Sequence, residues 1–243
     1  MKKIVLYVFV LLVFAACQHP RVVISKSSKI HMIDSCLDAA IDKEYVEYLA
    51  PIKADLEEQL NVKIGYAPED LKVHQPECTM LNWATDALLA MARQYSPEPV
   101  DIAVVNIGGM RCNWGKGNIT FKHVFELMPF DNELVVLTLS GQDLLELCQV
   151  FAKIGGEGAA GMRIKVSNGV VTEATINGEA IDPTKQYKVA TSDYLSQGND
   201  GMLPLKKSSH MWKSEQKIRD LYIEYIQQKG VVESQIDGRF VIE

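Results

Sequence analysis

Met162-Arg163-Ile164-Lys165-Val166-Ser167-Asn168-Gly169-Val170-Val171-Thr172-Glu173-Ala174-Thr175-Ile176 reads as two apolar-rich runs joined by Asn-Gly. Asn-Gly tolerates the positive φ angles that a two-residue hairpin turn demands, so Met162–Val166 and Val170–Ile176 are expected to pair antiparallel. The chain around this hairpin carries both periodicities. C-terminal to it, Asn177-Gly178 is a second turn signal, Tyr187–Thr191 a strand, and Ser214–Lys229 an amphipathic helix bearing Ile218, Leu221, Tyr222 and Tyr225. N-terminal to it, Gly155, Gly156, Gly158 and Gly161 predict a flexible loop. Before that come a helix over Gln142–Phe151, a break at Gly141, a strand over Glu133–Leu139 and a short helix over Thr120–Met128. Asp101–Asn106 is a short apolar run, the mark of a buried strand. Cys78–Tyr95 places Met80, Trp83, Ala84, Ala87, Leu88 and Met91 on one helical face. Ile41–Leu60 spaces Val46, Leu49, Ile52, Leu56 and Leu60 as an amphipathic helix broken or started at Pro51. A hairpin set among strands and helices excludes a purely parallel sheet and predicts α+β or mixed α/β.

The first residues read as a targeting segment rather than as part of the fold. Lys2 and Lys3 precede an uncharged apolar run, Ile4–Ala16, too short to span a bilayer comfortably. Phe14-Ala15-Ala16-Cys17 resembles a bacterial lipobox, in which the cysteine is lipidated; an ordinary signal peptide with a chance cysteine is the plainer alternative. The expected organisation is a signal peptide over residues 1–16, a lipid-anchored polar tether over 17–30 and one domain over 31–243. The chain would then be a membrane-anchored lipoprotein, periplasmic or at the cell surface. With a net charge of −6 it lacks the basic balance of a nucleic-acid binder. Cys36, Cys78, Cys112 and Cys148 are widely and irregularly spaced. That pattern indicates neither a zinc site nor a disulfide scaffold; small buried thiols, with one disulfide allowed by export, fit it best.

Three segments could carry chemistry. Asn106-Ile107-Gly108-Gly109-Met110-Arg111 follows the buried strand: glycines admit close backbone approach to a ligand, and arginine presents a planar fork suited to phosphate or carboxylate. Met128-Pro129-Phe130-Asp131-Asn132 sets an aromatic ring among turn residues. Tyr194 precedes Gly198-Asn199-Asp200-Gly201, where an aspartate on a tight loop could accept hydrogen bonds from vicinal hydroxyls. Each has a bland reading: a plain turn, a hydrophobic staple and an Asp-Gly turn. Two loop rings together would make a slot for a flat heterocycle.

In this order the segments resemble the 5'-nucleotidase C-terminal domain. Glu77-Cys78-Thr79-Met80-Leu81-Asn82, Gly117-Asn118-Ile119-Thr120 and Asp182-Pro183-Thr184-Lys185-Gln186-Tyr187 extend the likeness over about residues 41–230. The resemblance implies a layered α/β/β/α fold and a nucleoside or nucleotide ligand. It implies a base sandwiched by Phe130 and Tyr194, polar contacts from Asn106 and Asn132, a ribose acceptor in Asp200, Arg111 near ribose and phosphate, and close backbone approach at Gly109. Tyr194 stands where phenylalanine is commoner, and Asn199 where glycine is. A further arginine usual before the Glu-Cys helix is replaced by Lys72-Val73-His74-Gln75-Pro76, in which Lys72 or His74 could substitute only weakly.

In that family an N-terminal metallophosphatase domain with two metal ions hydrolyses the phosphate. Here His19, His31, His74, His123 and His210 lie in no such ligand context, and about a dozen tether residues precede the domain. The expectation is therefore no catalytic residue, metal site or cofactor in this chain. Divalent metals would sit in a separate metallophosphatase chain, making this the binding half of a split 5'-nucleotidase for nucleotide scavenging. A nucleoside-binding lipoprotein without a catalytic partner, and a remnant that no longer binds, remain as alternatives. The lipobox predicts that the chain incorporates labelled palmitate in bacterial cells and fractionates with membranes. Cys17→Ser should abolish both, whereas an ordinary signal peptide would leave no acyl label on the wild type.

Overall fold

The computed structural model describes residues 25–30, 32 and 42–243. The expected signal peptide, Cys17, most of the tether, Cys36 and Ile41 lie outside the described residues. The chain divides into two compact units, residues 1–50 and 51–243. In the first, the described residues are exposed, and Asp42 Oδ1 accepts hydrogen bonds from the Glu44 and Tyr45 N–H groups to cap helix α1, Lys43–Leu60. Pro51, expected to break or start this helix, lies inside it. No residue of α1 is buried, so water can satisfy the carbonyl that the proline leaves without a donor.

The second unit is built on a five-stranded sheet. Its members are β2 (Ile102–Val105), β4 (Glu133–Ser140), β5 (Gly158–Ala160), β9 (Gln186–Ser192) and β10 (His210–Lys217), in the order β10-β4-β9-β2-β5. Pairing is antiparallel except between β2 and β9, which run parallel. The other strands are β1 (Lys63–Ala67), β3 (Gly117–Thr120), β6 (Met162–Ser167), β7 (Val170–Ile176), β8 (Glu179–Ala180) and β11 (Phe240–Ile242). β1 and β3 form a ribbon, and β11-β6-β7-β8 a four-stranded sheet. The helices are α2 (Thr79–Tyr95), α3 (Phe121–Leu127), α4 (Gly141–Ile154), α5 (Asp193–Ser196) and α6 (Ile218–Lys229). The mixed α/β class read from the sequence is the class observed.

Alternation along the central strands feeds two cores. Ala103, Val105, Leu134 and Val136 face one with α2, α3 and α6; Ile102, Val104, Val135 and Leu137 face the other with α4 and the inner residues of β6 and β7. A sheet covered on both faces requires apolar residues at every position, and all four residues of β2 are buried. The first core is aromatic: Trp83 lies with its ring centroid 5.0 Å from that of Trp114 and 5.3 Å from that of Tyr222. Cys78 and Cys148 are buried thiols and Cys112 is half-buried.

The founding hairpin forms as expected. Asn168 (φ 51°) and Gly169 (φ 75°) occupy the left-handed region, and Ser167 pairs with Val170 across the turn. Two other expectations are corrected. Ser214–Lys217 belong to β10, and helix α6 begins only at Ile218. Pairing with β4 captures these residues, and the register shifts between Lys213 and Lys217, around Glu215 at φ 60°. The glycine-rich segment is not a flexible loop. Gly158–Ala160 is the edge strand β5, paired with β2 through Ala103↔Ala160 and Val105↔Gly158. A Cβ on Gly156 would stand 2.3 Å from the Pro76 carbonyl oxygen, and one on Gly161 2.4 Å from that of Asp101. These glycines admit backbone contact.

That distinction is measurable. Gly161→Ala should lower the unfolding free energy in urea by at least about 2 kcal/mol, because it adds a backbone collision to an unfavourable φ. Gly169→Ala, with no heavy atom within 4 Å, should cost only about 1 kcal/mol.

Candidate functional site

Strand direction brings three segments to one end of the central sheet. Because β2 and β9 are parallel, with Ile102 beside Val189, the residues that follow both strands emerge on the same side. β4 runs antiparallel to β9 with Leu134 opposite Ser192, so the segment entering β4 arrives at that end too. Crevices beyond the carboxyl ends of parallel strands are habitual ligand sites. A cleft of about 360 Å³ opens here, lined by Asn106, Gly108, Gly109, Arg111, Phe130, Asn132, Tyr194 and Asp200. All seven residues singled out as ligand-binding line this one cavity, and Gly108 joins them.

Phe130 is 39% exposed and Tyr194 41%, large rings left on the surface where they border the cleft. Phe130 is held from behind. Arg219 Nη2 donates to Asp131 Oδ1 at 2.7 Å and Nη1 to the Phe130 carbonyl at 3.4 Å. Lys217 Nζ lies 3.0 Å from Asp131 Oδ2, and the Ile218 N–H donates to the Asn132 carbonyl at 2.9 Å. Hydrogen bonds from Lys217 and Arg219 hold the Asp131 carboxyl below the usual range. Arg219 also stacks over Phe125, 4.3 Å from its centroid.

Tyr194 rides on α5 rather than on an open loop. Ser192 Oγ caps this helix by accepting from the Leu195 N–H at 3.1 Å. Asp193 Oδ1 accepts from the Tyr194 N–H at 2.9 Å and from the Glu133 N–H at 3.0 Å, tying the two ring-bearing segments together.

Asp200 sits in the left-handed region at φ 54° within the turn Asn199–Gly201. Its Oδ2 accepts from Asn106 Nδ2 at 2.6 Å and its Oδ1 from the Tyr194 phenol at 2.9 Å. Each oxygen keeps lone-pair capacity for another donor. The hydrogen bond to Asp200 raises the Tyr194 phenol above its ordinary pKa. A Cβ on Gly109 would meet Asn106 Oδ1 at 2.9 Å, so the glycine lets the Ile107–Gly109 turn lie against this polar cluster.

Arg111 Nη1 donates to the Gly108 carbonyl at 3.1 Å, and Arg111 makes no ion pair among the described residues. Neither Lys72 nor His74 lines the cleft; His74 Nδ1 meets the Gln75 carbonyl at 3.2 Å. His123 is engaged in the capping box of α3, where its Nδ1 accepts from the Thr120 N–H at 3.1 Å. Among the described residues, no three His, Cys, Asp or Glu side chains group as metal ligands.

Sequence reasoning missed two residues. Arg219, within the expected C-terminal helix, gave no local signal of its reach to Phe130. Glu157 was hidden in the glycine-rich stretch. It is 7% exposed, and its Oε2 accepts from the Ile107 N–H at 2.5 Å. Burial pushes its carboxyl up to about 7, opposed by the hydrogen bond from the Ile107 N–H and aided by nearby Asp200.

Comparison with known proteins identifies the likeness. The family model for the 5'-nucleotidase, C-terminal domain, matches residues 62–207. The 5'-nucleotidase of Vibrio vulnificus is 30% identical over 165 residues, covering 66% of this chain and 30% of that protein. Protein UshA of Escherichia coli is 25% identical over 169 residues, covering 68% and 30%. This chain thus matches about 30% of the length of these relatives. A crystal structure of a 5'-nucleotidase precursor from Thermus thermophilus superposes with a TM-score of 0.71 at 25% identity, covering 82% of this chain and 42% of that one.

Glu157 gives the fold a pH dependence of definite sign. A carboxyl whose folded pKa exceeds its unfolded value contributes stability fully below the unfolded pKa, here about 4.5, and loses it as pH rises through about 7. Wild type should therefore lose up to about 3 kcal/mol relative to Glu157→Gln between pH 4.5 and 8, read from urea unfolding of both proteins.

Proposed function

The chain belongs to the 5'-nucleotidase C-terminal domain family, and on that premise we propose that its cleft is the nucleoside- and nucleotide-binding site of a split 5'-nucleotidase-type hydrolase. The observation that carries this reading is Asp200. Its carboxylate is held by Asn106 on one oxygen and Tyr194 on the other, in a cleft that Phe130 also lines. A base stacks on the rings, vicinal ribose hydroxyls donate to Asp200, and Arg111 meets the 5' side. Such stacking contributes about 1–3 kcal/mol per base and tolerates different bases.

In this proposal a separate metallophosphatase chain supplies the divalent metals and the hydrolytic step. The two associate at the bacterial envelope, where Cys17 anchors this one. The end of α1 supports such an association. Leu56 and Leu60, which precede the region matched by the family, line a largely apolar groove of about 630 Å³ with Val62, Phe121, Phe125 and Ile223. The alternative, a nucleoside-binding lipoprotein without a catalytic partner, draws on one observation: Arg111 is the single cation lining the cleft among the described residues, so the cleft itself suits the uncharged part of a nucleotide best.

Calorimetry on the chain from about Ile30 onward should show adenosine and AMP binding. Phe130→Ala and Asp200→Ala should each weaken it by about tenfold or more. The same protein should release no phosphate from AMP when divalent metal is added. Metal-dependent release by the pure chain would sink the division of labour, and absence of binding across common nucleosides would sink the site.

A further inference from the structure

Resting on the nucleoside reading of the cleft, we infer that Glu157 is its positioning residue: the buried carboxylate holds the Ile107–Gly109 turn in place, and protonation of Glu157 loosens nucleoside binding. The geometry begins with the sheet. The β2–β5 ladder ends at Val105↔Gly158, after which β2 leaves the sheet through Asn106. At that point the side chain of Glu157 takes over from the backbone and accepts the Ile107 N–H. The residues on either side of this anchored N–H are Asn106, which donates to Asp200, and Gly108, which lines the cleft. One carboxylate therefore links the edge strand to the turn from which the ligand is addressed.

The surroundings leave this carboxylate little else to do. Among the described residues it makes no ion pair. Asp200 is the charged group that acts on it, and the Ile107 N–H is its hydrogen-bond donor. From α2, Leu81 and Thr85 pack against Gly158, and Pro76 packs against Gly156 just before the strand; none of these titrates.

Ionised, Glu157 accepts the Ile107 N–H through a charge-assisted bond. Its charge beside Asp200 also strengthens Asp200 as an acceptor for hydroxyl donors. Protonation weakens both effects, and the carboxyl titrates near 7. Affinity should thus fall as pH drops, opposite to the stability trend.

The test is adenosine calorimetry on the full chain in detergent from pH 5.5 to 8.5, for wild type and Glu157→Gln, with circular dichroism at each pH. Adenosine carries no group that titrates in this interval. Wild-type Kd should rise roughly tenfold from high to low pH with a midpoint near 7, the loss expected when a charge-assisted hydrogen bond becomes a neutral one. Glu157→Gln should bind at the weak, low-pH level throughout. A flat wild-type profile, affinity that rises at low pH, or a variant that keeps the wild-type profile overturns the inference. A variant that fails to fold leaves the wild-type profile to decide. No adenosine binding by wild type at any pH removes the nucleoside reading itself, and this inference with it.

Discussion

Strand β9 pairs antiparallel with β4 on one side and parallel with β2 on the other, and the site depends on that mixed pairing. A purely antiparallel order would send the residues after β2 to the far end of the sheet. With the observed order, the exits of β2 and β9 and the entrance of β4 share one edge. The seven residue pairs between β4 and β9 fix the register there, and a slip of one residue would turn buried side chains outward. Asp193 locks the same edge by accepting from the Glu133 N–H, so the segments that carry Phe130 and Tyr194 cannot drift independently. The rings are thus set on regular structure, which limits the ordering entropy that a ligand must overcome.

Charge is arranged around the cleft in opposite ways on its two sides. Behind Phe130, Asp131 is satisfied by Lys217 and Arg219, an exposed carboxylate whose partners are partly withdrawn from water. Arg219 is the buried member, with a side chain 10% exposed, and its contacts to Asp131 and Phe125 fix the loop. Beneath the Ile107–Gly109 turn, Glu157 makes no ion pair among the described residues and relies on the Ile107 N–H. The first arrangement holds the Asp131 carboxyl below its usual range, so it stays ionised near neutrality. The second is sensitive, because desolvation without a counter-charge moves a carboxyl toward neutral pH.

The residues that line the cleft were legible because each sits in a short motif whose chemistry is local: a Gly-Gly turn, a ring after proline, an aspartate between glycines. The founding hairpin was legible for the same reason, since Asn168-Gly169 needs nothing beyond its own φ preferences. What sequence reading missed depends on partners distant in the chain. Ser214–Lys217 would suit a helix, and only the exposed hydrogen-bonding edge of β4 makes them a strand. Gly158 and Gly161 read as flexibility because the backbone they pack against, at Val105 and Asp101, is more than fifty residues away. Arg219 is ordinary in a helix until Asp131, 88 residues earlier, is placed beside it.

Glu157 shows how these two kinds of information combine. A glutamate among glycines at a sheet edge would ordinarily point to water, because burying an unpaired carboxylate is costly. Here the ladder partner of Gly158 is Val105, the last residue of β2, so the chain beyond offers a backbone N–H rather than a strand. That N–H lowers the cost of burial without removing it, which is why the carboxyl lies near 7 instead of in the usual carboxylate range. An apolar side chain would be cheaper to bury but would leave Ile107 without an acceptor at the bend where the cleft begins. The cost of the charge and the fixing of the turn are therefore two consequences of one contact, and the stability it removes above neutral pH accompanies the order it gives to the site.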